Sequence, residues 1–511
     1  MEDNTMKAYK SIISAFAASL LVCSCTGWLE VDNPTAQPIE EYFTTEEHLT
    51  EALVAAYDPL EWTDWSCGQY NPINILFELL GDNIWVGGSD RTDMKIWHEA
   101  ADFNARPVDC IASIWTEAYS GVKRCNDCIQ YIDWVPGLAE DKAKSIEAQC
   151  LVLRCFYYSW IWKLWGSAVY YDQNLSQPYI GEQFSADEFY AKIMGDLDKA
   201  IALKALPLKW SGSEIGKVGT AVAYMLYAEL AMYQNDETRL PTAFKYMKEL
   251  IDSQQFSLNP DYADIWTENG EWCSESIFEI NYKSEDQIRS YDWTMGAGGT
   301  WIPQLISPNN YNADGYMGGW GFCPLRTSTV KMFGDNDARK AATCFHATSS
   351  YNVRYQDTGY FIDKYVAKEV YHGDTGASDC AFGNNIRYYR YAETLLNAAE
   401  LALAGYGSGD ASKWLNEVHQ RAIPGETVEA TLENIKAERH LEFVGEGKRY
   451  FDLVRWGDAA SVLVAEDDEN FTTPSDKGRM GNWSESRKWL PIPLSEIDAS
   501  NNTLKQNPAY L

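Results

Sequence analysis

The chain has 511 residues, of which 46% are hydrophobic and 14% aromatic, so it has the composition of a folded globular protein. Its length exceeds what one simple core usually holds, and we expect more than one lobe or a stacked helical array. A formal net charge of −32 argues against nucleic-acid binding and against adhesion to anionic lipid through surface charge, but it excludes no neutral ligand such as a sugar.

The N-terminal segment is typical of an exported bacterial protein. A basic start precedes an apolar run, residues 11–22, that is too short to span a bilayer. Cys25 follows the small residue Ser24, and this arrangement resembles a lipobox. The resemblance implies cleavage before Cys25 and lipidation of its sulfur, whereas an ordinary signal peptide with incidental cysteines is the alternative. We therefore predict a signal peptide over 1–24 and a lipid-anchored tether over 25–38.

Apolar residues at helical spacing predict helices through the first half of the chain and beyond it. Recurring Ala, Leu and Tyr in helix pairs resemble tetratricopeptide (TPR) units, although the period is ragged. Cys125 and Cys128 form a CxxC inside one such pattern, and helix packing is favoured over a zinc or redox role because no second CxxC follows at zinc-finger spacing. The predicted helices cover residues 45–60, 111–135, 141–165, 184–203, 217–233 and 240–253.

Two stretches rich in glycine and aromatic residues, 61–103 and 284–322, interrupt these helical patterns. Alternation over 275–282 predicts a strand just before the second stretch. Frequent glycines disfavour a helix or a long strand, so several rings must be held on loops. Large rings on loops usually meet a ligand or a partner, because loops run over the protein surface.

The segment 386–458 predicts three further helices, the first starting at 386 and the third covering 432–444. In its second half, charged residues alternate finely with large apolar ones. Buried charge must be paired, so we predict an ion-pair network that joins helices; a catalytic carboxylate with an arginine clamp is the alternative. The charged residues concerned are Glu438, Arg439, Glu442, Arg449, Asp452 and Arg455.

Four C-terminal motifs resemble the SusD/RagB family, the nutrient-binding lipoproteins of the Bacteroidetes outer membrane. They are RYAETLLNAAELAL, LNEVHQRA, ERHLEFVGEGKRYFDLVRWG and the final LPIPLSEIDASNNTLKQNPAYL. The resemblance implies a mainly α fold, in which a TPR-like helical scaffold carries a second irregular, loop-rich lobe. The expected divisions are an N-terminal helical part with an aromatic loop at 61–103, an irregular ligand-binding lobe and a C-terminal helical part, covering 39–258, 259–385 and 386–511 respectively.

The resemblance also implies a function and a partner. Such a protein would capture oligosaccharides or polysaccharides at the cell surface and pass them to a SusC-like TonB-dependent transporter, on which it sits as a lid. One face of a pyranose stacks on aromatic rings, while polar side chains bond its hydroxyl groups. Family sites gather rings from an early loop and the middle loop. The predicted ligand-binding residues are Trp85, Trp293, Trp301 and Trp320, with Tyr291, Tyr316, Asp82 and Asn83 as second choices and core packing as the alternative for each ring.

Sequence signatures of catalysis are missing. His98-Glu99 is not followed by the second histidine of a zinc-protease motif, and the chain has no nucleophile elbow, P-loop or dinucleotide fingerprint. Paired carboxylates carry no information among 74 acidic residues. We therefore expect no catalytic residue, cofactor or metal. A glycoside hydrolase acting at the aromatic loop and a TPR-like protein adaptor are the alternatives.

Overall fold

The computed structural model describes residues 37–285, 289–292, 298–374, 376–467 and 469–511. Helices dominate this part of the chain. In chain order they are α1 (Ile39–Tyr42), α2 (Glu46–Tyr57), α3 (Ile73–Leu79), α4 (Lys95–Ala101), α5 (Ser113–Ile132), α6 (Glu140–Trp165), α7 (Ala186–Ala202), α8 (Thr220–Gln234), α9 (Leu240–Asp252), α10 (Ile302–Ile306), α11 (Thr327–Met332), α12 (Arg339–Thr343), α13 (Tyr391–Leu403), α14 (Ala411–Ala422), α15 (Leu432–Glu442), α16 (Arg449–Arg455), α17 (Ala459–Val462) and α18 (Leu494–Ala499).

The long helices pack as consecutive pairs, with α6 against both α5 and α7, α8 against α9, and α13 against α14. Helix α6 is the centre of this scaffold, since its C-terminal twenty residues are almost all buried. Local sequence sets the helix starts: Thr45 accepts a hydrogen bond from the His48 amide, and Ser185 with Glu188 forms a capping box ahead of α7. The mainly α fold is confirmed, as are the helices predicted between residues 45 and 253.

The described residues also form three antiparallel two-stranded sheets: β1 (Ala168–Val169) with β2 (Gln183–Phe184), β3 (Ser276–Ile280) with β6 (Ile386–Arg390), and β4 (Cys344–His346) with β5 (Tyr360–Ile362). The sequence prediction of one helix starting at 386 is wrong over β6. Its five residues are all buried and pair with β3. Main-chain pairing and the β-branched and aromatic side chains of this segment outweigh its helical spacing.

The predicted ion-pair network is confirmed in the C-terminal part. Arg390, at the end of β6, lies 3.0 Å from Glu442 and 2.7 Å from Glu446. Arg339 lies 2.6 Å from Glu438. All five side chains are at least nine-tenths buried, so their charges are paired inside the protein and join β6, α12 and α15.

A small apolar cluster, separate from the main core, lies in the irregular segment between β3 and β6. It contains Tyr311, Phe345 and Phe361, with the half-buried Tyr316 packed against it. None of the ten cysteines in the described part of the chain forms a disulfide, and Cys125 and Cys128 are buried on α5. No helix of the described residues is long and apolar enough to cross a membrane.

Candidate functional site

Five aromatic rings from two distant segments form one connected patch. The ring centroids of Trp65 and Tyr70 are 4.2 Å apart, and the Tyr70 ring is 5.2 Å from that of Trp320. Tyr291 completes the group, because its ring centroid lies 5.9 Å from that of Trp65 and 5.7 Å from that of Trp301. Tyr291 is 45% exposed and Trp301 fully buried, while the other three are half-buried. We call these five residues the aromatic patch; Trp301 is its floor.

A buried ion pair holds the two segments of the patch together. Arg289 and Asp64 are both fully buried, and a guanidinium nitrogen lies 2.7 Å from the carboxylate. The same carboxylate accepts the Trp301 amide at 2.9 Å, and the guanidinium carbon lies 4.9 Å from the Trp301 ring centroid. Asp64 directly precedes Trp65, and Arg289 lies two residues before Tyr291. This single pair therefore sets the position of one segment's rings against the other's.

Two glycines let the chain pass close beneath the patch. A Cβ at Gly298 would lie 2.7 Å from the Arg289 side chain, and a Cβ at Gly299 would lie 2.0 Å from the carbonyl oxygen of Cys380. The carbonyl of Gly299 also accepts a hydrogen bond from Arg289 at 2.9 Å. Glycine is therefore required here for close approach of backbone to its neighbours.

Neutral hydroxyl groups lie at the edge of the patch. Burial raises the pKa of Tyr291 to about 12, and its hydrogen bond to Asp379 adds to the shift. The pKa of Tyr70 is raised further still, mainly by burial and to a smaller extent by the nearby Tyr291. Both phenols keep their protons at neutral pH. The patch thus combines aromatic faces with hydroxyl groups able to donate and accept hydrogen bonds.

A buried carboxyl group lies behind the patch on α5. Glu117 is 1% exposed, and burial raises its pKa to about 8, an effect that the nearby hydroxyl groups of Ser66 and Ser113 oppose. The ionised form is disfavoured because water is excluded from it. Glu117 therefore carries a proton at neutral pH.

Two of the predicted ligand-binding tryptophans, Trp85 and Trp301, are buried by neighbouring side chains. Trp85 is 3% exposed; its ring is covered by the Arg326 guanidinium at 3.9 Å, and its indole nitrogen donates to Glu469. Trp301 belongs to the patch but, with no exposed surface, it cannot stack on a ligand. Both tryptophan rings are covered by neighbouring side chains, and the spacing of residues in the sequence does not predict this burial.

Asp82 and Asn83, the polar residues among the predicted ligand-binding residues, bond to other side chains of the protein. Asp82 pairs with Arg449 at 2.7 Å, and this arginine together with the nearby His440 holds the pKa of its carboxyl well below the usual range, against the effect of burial. Asn83 is fully buried and donates to Glu78 at 2.6 Å. Neither side chain is available to bond a ligand in this conformation.

The remaining predicted residues divide between the patch and other places. Trp320 and Tyr291 lie in the patch. Tyr316 packs against Phe345 in the small apolar cluster, and Trp293 lies outside the described residues. Trp65 and Tyr70 were not among the predicted ligand-binding residues, although both fall in the predicted aromatic loop at 61–103.

The described residues contain no cluster of His, Cys, Asp and Glu able to hold a metal ion. The arrangement is instead a shallow surface of inclined rings with hydroxyl groups at its edge. The angles between neighbouring rings range from 33° for Trp65 against Tyr70 to 80° for Trp65 against Tyr291, with 76° for Tyr70 against Trp320. Such a surface can bind a ligand that presents C–H faces and hydroxyl groups along a curved path.

Comparison with known proteins assigns this fold to a family. The sequence model of the SusD family matches residues 345–510, and one described as "Starch-binding associating with outer membrane" matches residues 27–229. The surface glycan-binding protein A of Bacteroides thetaiotaomicron, solved in complex with laminarihexaose, is 48% identical, with a TM-score of 0.86 over 91% of this chain and 100% of that one. The chain belongs to the SusD family.

Other relatives agree along nearly the whole chain. The surface glycan-binding protein A of Bacteroides uniformis is 44% identical, with a TM-score of 0.82 over 91% of this chain and all of that one. A SusD-like protein of Formosa agariphila is 23% identical over 531 aligned positions, which cover 94% of this chain and 96% of that protein. These relatives are named as glycan-binding or SusD-like proteins, and not as hydrolases.

Proposed function

We propose that this protein captures oligosaccharides at the aromatic patch, and that its ligand is a β-1,3-linked glucan. The observation that carries the proposal is the assembly of Trp65, Tyr70, Tyr291 and Trp320 into one accessible surface from two segments. The complex of a 48% identical relative with laminarihexaose supports the glucan class. A solved relative named as a laminarin-binding SusD-like protein, 25% identical with a TM-score of 0.80, supports it further.

The inclination of the rings favours this linkage. A β-1,4-linked glucan is a flat ribbon and is best matched by coplanar rings, whereas a β-1,3-linked chain curves. The patch offers rings at 76° and 80° to one another, so successive sugars of a curved chain can each meet a ring. Each stacked ring contributes about 0.5–1.5 kcal/mol beyond area burial. A few rings and hydrogen bonds give roughly 4–8 kcal/mol, a millimolar to micromolar site suited to capture and release.

The proposed role includes a place in the cell and a partner. We infer that Cys25, which lies outside the described residues, carries a lipid that anchors the chain at the outer-membrane surface. From there the protein would deliver glycan to a SusC-like TonB-dependent transporter. The lipobox-like sequence and membership of the SusD family support both steps. A lipid anchor on the cysteine sulfur would leave the patch free to collect glycan outside the cell.

Calorimetry with purified mature protein tests the proposal. We expect laminarihexaose to bind with a micromolar to millimolar Kd, and cellohexaose to bind at least about tenfold more weakly, a difference of about 1.4 kcal/mol. Trp320→Ala should weaken laminarihexaose binding, while Val370→Ala, at a side chain that is 76% exposed and outside the patch, should not. Equal binding of the two hexasaccharides would refute the glucan class. Release of shorter sugars with turnover would instead indicate a hydrolase.

A further inference from the structure

A second cleft lies on the helical scaffold and shares no residue with the aromatic patch. Its volume is about 460 Å³, within the roughly 300–1,000 Å³ of typical small-molecule sites. Three segments form its walls: the N-terminal half of α5, the loop from Val169 to Gly181, and the C-terminal segment that begins with α18. None of its lining residues is used by the ion-pair network or the patch.

Aromatic rings line this cleft on two of its walls. Tyr119 of α5 and Tyr171 of the loop lie nearly parallel, with centroids 6.0 Å apart and planes 12° apart. Trp115 lies next to Tyr119, 5.1 Å away. Tyr119 and Tyr171 are half-buried and offer ring surface to the cleft, while Trp115, which is 4% exposed, supports Tyr119 from behind.

Tyr179 stands at the cleft with a left-handed backbone conformation, which twelve other non-glycine residues of the described chain share. Its φ is +60°, a left-handed backbone state that costs a residue with a Cβ about 1–2 kcal/mol. Burial of the ring does not offset this cost, since Tyr179 is 64% exposed. Within the described residues its side chain takes part in no hydrogen bond or ring contact. A strained backbone that presents an exposed ring at a cleft indicates a functional position.

The polar groups of the cleft suit a neutral ligand rich in hydroxyl groups. Lys123 is already paired with Asp127 at 2.7 Å, so the cleft offers no unpaired cation for an anionic ligand. Asn174, Glu496 and Thr503 line the cleft and can accept hydrogen bonds from hydroxyl groups through their side-chain oxygens. Rings on the wall with oxygen acceptors among them are the pattern that recognises a pyranose.

We propose that this cleft is a second carbohydrate-binding site, which holds another stretch of the glucan chain bound at the aromatic patch. The inference rests on the proposed function for its choice of glycan. Two sites on one chain would hold a polysaccharide more tightly than either site alone, because the second contact forms at a high effective concentration. A short oligosaccharide that fills one site at a time would gain nothing from the pair.

Hydrogen exchange with the full mature protein tests both sites separately. Amide exchange is compared with and without saturating laminarihexaose. We expect protection in peptides covering 62–72 and 298–322, at the patch, and in peptides covering 113–123, 169–181 and 494–504, at the cleft. Protection at the patch alone overturns the second site and leaves the proposed function intact. Protection at the cleft alone overturns both the assigned patch and the pairing of two sites, and it makes the cleft the carbohydrate site. Protection at neither overturns both proposals.

A variant series supplies the second measurement. Tyr179→Ala should weaken retention of the protein in gels containing laminarin at least about tenfold, while the Kd for laminarihexaose at the patch stays within twofold. Tyr179→Phe keeps the ring and should be retained like the wild type, and Val370→Ala controls for loss of an exposed apolar side chain. Unchanged retention of Tyr179→Ala would overturn the inference. Because Tyr179 is exposed, the variant should fold, which an unchanged melting temperature would show.

Discussion

The buried pair of Asp64 and Arg289 should control ligand binding without touching the ligand. In Asp64→Asn the amide keeps an acceptor for the Trp301 backbone, but the fully buried Arg289 guanidinium loses the carboxylate that lies 2.7 Å from it. Breaking one partner of a buried ion pair costs about 3–5 kcal/mol. The guanidinium escapes this penalty if the segment that carries it leaves the patch. We therefore expect the segment around Tyr291 to separate from Trp65 in a large fraction of molecules.

The binding loss follows from the fraction of molecules that keep the patch assembled. If about half of the 3–5 kcal/mol, about 1.4–2.8 kcal/mol, is released by moving the segment, laminarihexaose affinity falls about 10- to 100-fold. Calorimetry at 20 °C measures the Kd, and a thermal melt at the same pH measures global stability. Hydrogen exchange in the segment 298–306 should rise in the free variant.

Asp337→Asn is the matched control. Asp337 is 4% exposed and lies 2.8 Å from the buried Arg339 in the C-terminal network, away from the patch. This variant should lower the melting temperature, yet bind laminarihexaose like the wild type. The reasoning is refuted if Asp64→Asn binds normally, or if both variants lose affinity to the same extent.

Three further predictions concern single side chains. Trp85→Ala should lower the free energy of unfolding by about 3–5 kcal/mol, as is usual for a buried tryptophan. The molecules that remain folded should bind laminarihexaose with unchanged affinity. A loss of affinity at normal stability would return Trp85 to the ligand-binding residues. Tyr316→Ala should leave the laminarihexaose Kd within twofold on calorimetry, because Tyr316 packs in the small apolar cluster; a tenfold loss would contradict this assignment. Burial raises the pKa of Glu117 from 4.5 to about 8. Between these two pH values the folded chain keeps a proton that the unfolded chain releases. The free energy of unfolding should therefore fall as pH rises from about 4.5 to 8. Glu117→Gln should show a smaller decline of melting temperature from pH 5 to 8, and parallel curves would contradict the assignment.

The helical scaffold could be predicted because its signals are local. The apolar period, the Thr45 cap and the glycine stops each act within a few residues, so the helix bounds agree to within a few positions. The failure at 386–390 has a non-local cause, since β6 exists through its pairing with β3, about 110 residues earlier in the chain. The ion-pair network was predictable in kind, because charges among large apolar residues must be paired wherever the chain brings them together.

The site could be predicted only in part. Glycine-rich aromatic stretches indicated which two segments hold it, but not which rings reach the surface. Trp85 and Trp320 look alike in sequence, yet one is covered by Arg326 and the other lies beside Tyr70. The Asp64–Arg289 pair joins residues 225 positions apart, and no local pattern predicts it. Such long-range contacts determine which rings are exposed, and neither the composition nor the spacing of residues predicts them.

A crystal structure of the mature protein with laminarihexaose is the most direct test of the central claim. The account predicts sugar rings stacked on Trp65, Tyr70, Tyr291 or Trp320, with hydroxyl groups bonded at the edge of the patch. Sugar bound elsewhere, with these four rings bare at saturating ligand, would contradict it.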